Sequence, residues 1–191
     1  MANGRVTTGF SKPYVALYSA TGTTVTYTSA KPLARGVSVS IAPEVSDESY
    51  FYADNMVAET SGGTFTGGTV TLTVDGLLDD ARKLIYGLGA KGTDGFYDYG
   101  DSMTIPFVGV GFVARVQSEG VVSYVPYVLP KCRFKVANVE ATTQAESIDF
   151  QTEELEATIL RDDTTNHNWL KVGEGCTTEA LAVTRLTNFL K

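Results

Sequence analysis

Two runs with a two-residue period, VSVSI at 37–41 and TVTLTV at 69–74, place apolar side chains on one side of an extended backbone and hydroxyls on the other. A helix scatters such a pattern around its circumference. Each run is therefore expected to be a strand with one buried and one wet face, and the two are expected to pair. PYVALY at 13–18 and TTVTYT at 23–28 flank SATG, a hairpin turn in which Gly22 supplies the positive φ. A later block, 106–117, 121–141 and 147–160, is again strand-like, with Gly120 in the turn between its first two runs. Pro126 and Pro130 predict an edge, a bulge or a break in the middle run, because proline donates nothing to a ladder.

The period changes in DGLLDDARKLIYGLG. Leu77, Leu78, Ala81, Leu84, Ile85 and Leu88 recur at steps of three and four, which predicts one amphipathic helix with Asp75 as N-cap and Gly87 or Gly89 as its stop. Asp79 and Asp80 fall near its positive end, Arg82 and Lys83 further along, in the sense the helix dipole favours. TTEALAVTRLTNFLK places Ala182, Leu186, Phe189 and Leu190 on one face, a short C-terminal helical extension at about 177–190. The fold class expected is mainly β with one or two flanking helices, in a single domain over 1–191.

Charge and cysteine content exclude several functions. Fifteen Lys and Arg stand against 22 Asp and Glu, a formal charge of −7, and no clustered basic face exists to neutralise phosphates. No run approaches the roughly 20 apolar residues of a membrane helix, and MANGRVTTGF lacks the apolar block of a signal peptide, so the chain is expected to be made and kept in a cytoplasm. Cys132 and Cys176 form no disulfide framework or metal set and are expected as two buried free thiols.

The candidate chemistry is sparse. GLGAKG at 87–92 matches the dinucleotide-binding glycine pattern, but it follows a helix where that motif must open one, so it is read as a helix stop running into a turn. His167, the only histidine, lies in the polar DDTTNHNW segment with no nucleophile or ligand motif and is read as a solvated loop residue. The pairs Asp79, Asp80 and Asp162, Asp163 lack the alternating ligands of a calcium loop and are read as capping or solvent-facing charges. In FQTEELEATIL, Leu155, Ala157 and Ile159 share one strand face, while Glu154, Glu156 and Thr158 share a wet, acidic one. No catalytic residue, cofactor-binding residue or metal ligand is assigned, and the chain is read as a non-enzyme.

SDESYFYADNMVAET at 46–60 is the segment that a single core serves worst. If extended, Tyr50 and Tyr52 face one way and Phe51 and Ala53 the other, so rings stand on both sides of the strand before the flexible SGGTFTGG. Exposed apolar surface of that kind marks a contact surface.

Taken in order, an N-terminal hairpin, VSVSI, SYFYADN, a Gly-rich return into TVTLTV, DGLLDDARKLI, FVGVGFVARV and ESIDFQTEELEATI resemble the major tail proteins of long, non-contractile-tailed bacteriophages, over about residues 10 to 160. The resemblance implies a β-sandwich or partly closed barrel of the tail-tube type, assembled as hexameric rings stacked into a tube. Such a tube surrounds the tape-measure protein and conducts DNA as non-sticking cargo. The other partners implied are tail terminator and distal tail proteins, with no membrane, and the location is the virion tail after assembly in the host cytoplasm. On this reading a long interface hairpin or loop at about 42–63 buries Tyr50, Phe51, Tyr52, Asp54, Asn55 and Met56 against neighbouring subunits. Glu44, Asp47, Glu48, Glu154 and Glu156 are the candidate acidic residues of the lumen. KGTDGFYDYGDSM at 91–103 and the stretch after Ile159 depart from a minimal member. The alternative is a β-barrel or sandwich module that binds a small molecule or carbohydrate through its YFY and FYDYG tyrosines.

Overall fold

The computed structural model describes residues 4–101, 103–139, 143 and 151–191. The chain is mainly β, with one large antiparallel sheet and two flanking helices. Its strands are β1 (Val6–Thr21), β2 (Thr24–Pro32), β3 (Gly36–Val45), β4 (Ser49–Ala53), β5 (Met56–Ser61), β6 (Phe65–Val74), β7 (Val108–Ser118), β8 (Val121–Phe134), β9 (Glu153–Leu160) and β10 (Lys171–Val172). The helices are α1 (Asp79–Tyr86) and α2 (Glu179–Phe189). In the large sheet the order is β2-β1-β7-β8-β9-β6-β3, with β10 also on β8, while β4 and β5 form a separate hairpin.

The two alternating runs pair as their pattern requires, except that Val37, at a register shift where β3 begins, is exposed and not part of the buried face. Val39 lies opposite Leu72 and Ile41 opposite Val70, with their apolar sides turned to the core. β1 and β2 are joined by a two-residue turn whose first residue, Gly22, has φ 62°. Glu119 and Gly120, both with positive φ, turn β7 into β8, the primed geometry that matches strand twist. The sheet's two ends, β2 and β3, follow one another across 33–35, where the Leu33 N–H donates to the Pro13 carbonyl at 2.8 Å. The sheet thus wraps around its core without closing into a barrel, and β2 and β3 remain its edges.

Inside the wrap lie Val15, Leu72, Val110, Leu129, Leu155 and Ile159, all without solvent exposure. α1 packs on this core through Ala81, Leu84 and Ile85. Its start departs from the sequence expectation. The helix begins at Asp79 with Leu78 as an N-cap that makes no side-chain bond, because Asp75 is held elsewhere by the backbone N–H and Nε of Arg35, at 2.9 and 2.5 Å. Leu78 is correspondingly 48% exposed and not part of the apolar face. Gly87 does end the helix, at φ 63°, where any side chain would run into the Thr104 carbonyl.

The prolines of β8 are accommodated in a physically transparent way. Pro130 sits where the β7–β8 register slips between Val108 and Val110, a bulge, and its carbonyl accepts a hydrogen bond from the Tyr27 hydroxyl at 3.1 Å. The Pro126 carbonyl accepts from Gly173, so its missing donor falls on the side served only by the two-residue β10. β8 ends at Phe134; the Lys135 N–H still donates to the Glu156 carbonyl of β9 at 2.8 Å, and 136–139 continue outside any strand. The expected strand start at 147–150, and with it the first part of ESIDFQTEELEATI, lies outside the described residues.

α2 covers the outer face of the β1, β7 and β8 half of the sheet. Ala182, Leu186 and Leu190 are buried there with Ala16, Val113 and Val128. Gly109 and Gly111 make the approach possible, since a Cβ on either would lie within 3 Å of Leu190 or Leu186 atoms. Thr178 caps the helix by accepting from the Leu181 N–H. Cys132 and Cys176 are both buried and free.

Candidate functional site

The β3–β6 ladder does not stop at the edge of the core. Val45 pairs with Phe65, the Ser46 N–H donates to Thr64 at 2.8 Å, and the Gly63 N–H donates back to Ser46 at 3.1 Å. There the ribbon kinks. Gly62 (φ 145°) stands so close to Asp47 and Glu48 that a Cβ would meet the Asp47 carbonyl at 2.5 Å, and Gly63 follows at φ 70°. Beyond the kink β4 and β5 pair with each other alone, from Ser49 opposite Ser61 to Ala53 opposite Met56. Asp54 and Asn55 close the hairpin at φ 52° and 63°, the left-handed pair of a type I′ turn, which short polar side chains tolerate.

Every residue of β4 and β5 is exposed. Phe51 and Tyr52 are 65% and 64% exposed, and Tyr50, Met56 and Val57 are also open to solvent. A two-stranded hairpin with no covered face is marginal on its own in water. The arm is acidic as well as aromatic: Glu44, Asp47, Glu48, Asp54 and Glu59 lie along the ribbon, and the sequence has no Lys or Arg between Arg35 and Arg82. The Tyr50 hydroxyl donates to Glu48 at 2.6 Å, and this bond holds the phenol's pKa above its ordinary value.

The arm is anchored at its base. Phe65 stacks on Trp169 with ring centres 4.5 Å apart and planes 4° from parallel, and the Arg161 guanidinium donates to the Phe65 carbonyl. Both partners come from the loop 161–170, which the sequence presents as a polar loop around His167 with no role for Arg161 or Trp169. That loop is organised by Asp162, which is only 2% exposed and accepts hydrogen bonds from Thr164 N–H, Thr164 Oγ1 and Asn168 N–H. Asp162 is therefore a buried turn-former, not a solvent-facing charge. His167 is exposed, with Nδ1 3.1 Å from the Asp162 carbonyl.

The candidate acidic residues divide into two places. Glu44, Glu154 and Glu156 reach one outer sheet face, in rows that run Ser38, Thr73, Glu154 and Ser40, Thr71, Glu156 across β3, β6 and β9. Ser38 donates to Thr73 at 2.9 Å. Among positions 38, 40, 42, 44, 69, 71, 73, 154, 156 and 158 of this face, no side chain is both apolar and larger than alanine. Lys135 pairs with Glu156 at its rim. Asp47 and Glu48 lie apart from it, at the kink. Glu153 serves the fold instead, accepting from Leu77 N–H at 3.1 Å and Arg82 at 3.4 Å.

A second polar cluster is structural. The Tyr18 hydroxyl donates to Asp163 at 2.7 Å, and Lys131 donates to the same carboxylate at 2.7 Å. Lys131 and then Tyr18 hold Asp163 below the usual carboxylate range, while burial, then the bond to Asp163, pushes the Tyr18 phenol up to about 12. Burial raises Tyr27 as well. A phenol with a raised folded-state pKa binds its proton more tightly in the native chain, so its contribution is complete below its unfolded value near 10 and is lost as pH rises through the folded value. Urea midpoints are therefore expected to fall between pH 10 and 12, and Tyr18→Phe is expected to flatten that fall. An equally steep fall in the variant would remove Tyr18 as a cause.

Among the described residues no three His, Cys, Asp or Glu side chains gather as a metal-binding group, and no helix is long and apolar enough to cross a membrane. Two grooves, one beside α1 at Arg82, Lys135 and Glu153, the other at Lys12, Tyr14 and Arg35, are lined by other residues than the Tyr50 to Tyr52 and Phe96 to Tyr99 rings. The chain matches no protein-family model and no curated protein.

Proposed function

We propose that the chain is a self-assembling structural subunit of a hollow tube, of the kind that forms the tail of a long, non-contractile-tailed bacteriophage. The observation that carries this reading is the arm: a built hairpin with rings on both faces, anchored at its base and covered by nothing of its own. Two edge strands support it, since β2 and β3 leave unpaired N–H and C=O groups that a neighbouring copy can continue. Six copies in a closed ring would leave no raw edge. The order of sequence features supports the phage-tail form of the assembly.

The hydroxyl and carboxylate face of β3, β6 and β9 is assigned to the lumen. DNA must slide past without adhering, and a face of Ser, Thr and Glu offers few apolar contacts and repels phosphate over about 8 Å at physiological salt. Tape-measure, terminator and distal tail proteins are the partners this role implies. Light scattering and negative-stain imaging of the purified chain test it directly. Rings or tubes with a hollow axis are expected. A monomer at every concentration, with saturable glycan binding, would instead support the carbohydrate-binding alternative.

A further inference from the structure

We infer that the acidic, aromatic arm of one copy docks in the Lys12 and Arg35 groove of the next copy. This rests on the assembly reading above and adds the receiving surface. The groove, about 460 Å³, lies where β1 bulges and the chain passes from β2 to β3. Pro13, Tyr14, Pro32 and Leu78 help to wall it, and Lys12 and Arg35 bring cations to its lining. Leu78 is half exposed, an apolar residue left uncovered by its own fold.

Charge selects the occupant. Lys12 has no ion pair among the described residues, and the Arg35 side chain is 93% exposed even while its Nε and backbone N–H hold Asp75. Two carboxylates also stand here, Asp75 in the lining, paired with Arg35, and Glu179, which accepts from the Ser11 hydroxyl, so Lys12 is the cation of this groove without a partner among the described residues. Against these cations the arm tip offers Asp54 and Glu59 together with Tyr52, Met56 and Val57, and no cation of its own. Apolar walls with cations match apolar side chains with carboxylates.

Geometry makes the partner a second molecule. Groove and arm sit at opposite ends of one ribbon, Gly36 at the start of β3 and the tip beyond β4. β3 alone spans roughly 30 Å and the arm roughly 17 Å, so an arm folded straight back at its kink still falls short of its own groove. A donor at one end and an acceptor at the other is a head-to-tail contact, which propagates into rings or filaments.

Charge reversal tests this on the full chain. Lys12→Glu with Arg35→Glu gives a variant with acidic arm tip and acidic groove, and Asp54→Lys with Glu59→Lys gives one with a basic arm tip and an unchanged groove. Each alone is expected to need at least about tenfold more protein to assemble. Mixed in equal amounts they are expected to co-assemble at the wild-type concentration, because each arm again meets a groove of opposite sign. Oxidation of a Lys12→Cys, Asp54→Cys chain should yield a ladder of disulfide-linked multimers, the native thiols being buried. Reversed variants that assemble singly as the wild type does overturn the docking and leave the tube standing. Mixtures that fail while the wild type assembles also overturn it. A wild-type chain that never assembles overturns both.

Discussion

Phe51→Asp and Tyr52→Asp are each expected to yield a chain that folds as the wild type does and no longer assembles. Neither ring touches the core, and substitutions at such exposed positions move stability by only about 0.5 kcal/mol either way. In the assembly proposed above the same positions would be covered, and an unpaired carboxylate taken out of water costs several kcal/mol. Since each 1.4 kcal/mol is a tenfold change in affinity, assembly at micromolar protein is lost outright. Thermal melts followed by circular dichroism, with sedimentation of the assembled fraction, separate the two effects. Normal sedimentation would take the rings out of the contact, and a collapsed melt would show that they belong to the interior.

Leu186→Ala is expected to lower the unfolding free energy by about 2–5 kcal/mol, the range for deleting a fully buried leucine where the surroundings cannot collapse. Leu186 has no solvent exposure and rests against the bare backbone of Gly111. Removing its branch leaves a void between α2 and the outer side of β7, and the effect is read as a fall in the urea midpoint. An unchanged midpoint would make α2 an appendage after all.

That last contrast shows where the sequence was legible and where it was not. Alternation in VSVSI and TVTLTV suffices for two strands and their pairing, because period two has one solution when one face is buried. The three-and-four spacing likewise gives α1 and its stop at Gly87. The start of α1 was misplaced because Asp75, a good cap in isolation, is captured by Arg35 from a segment forty positions away. No local rule contains that competition. α2 reads as an extension, yet VGVGF carried the signal that it is part of the fold: two glycines in a strand mark a close approach of something else. The clamp of Trp169 and Arg161 on the arm's base, and the groove that joins Lys12 to Arg35, are assembled from remote segments and leave no local trace. The arm's exposed rings were legible, because amphipathic order fails there on both faces at once.

The pairing of β1 with β7 has a consequence for biosynthesis. Val15 lies opposite Val110, so β1, paired early with β2 on one edge, waits for its second partner until that distant segment has left the ribosome. At roughly 5–20 residues per second the delay is several seconds. By the end of that interval the arm's rings are already synthesised, while Arg161 and Trp169, which anchor its base, are not. On the assembly proposed above, nascent chains on neighbouring ribosomes would expose these rings to one another ahead of finished subunits.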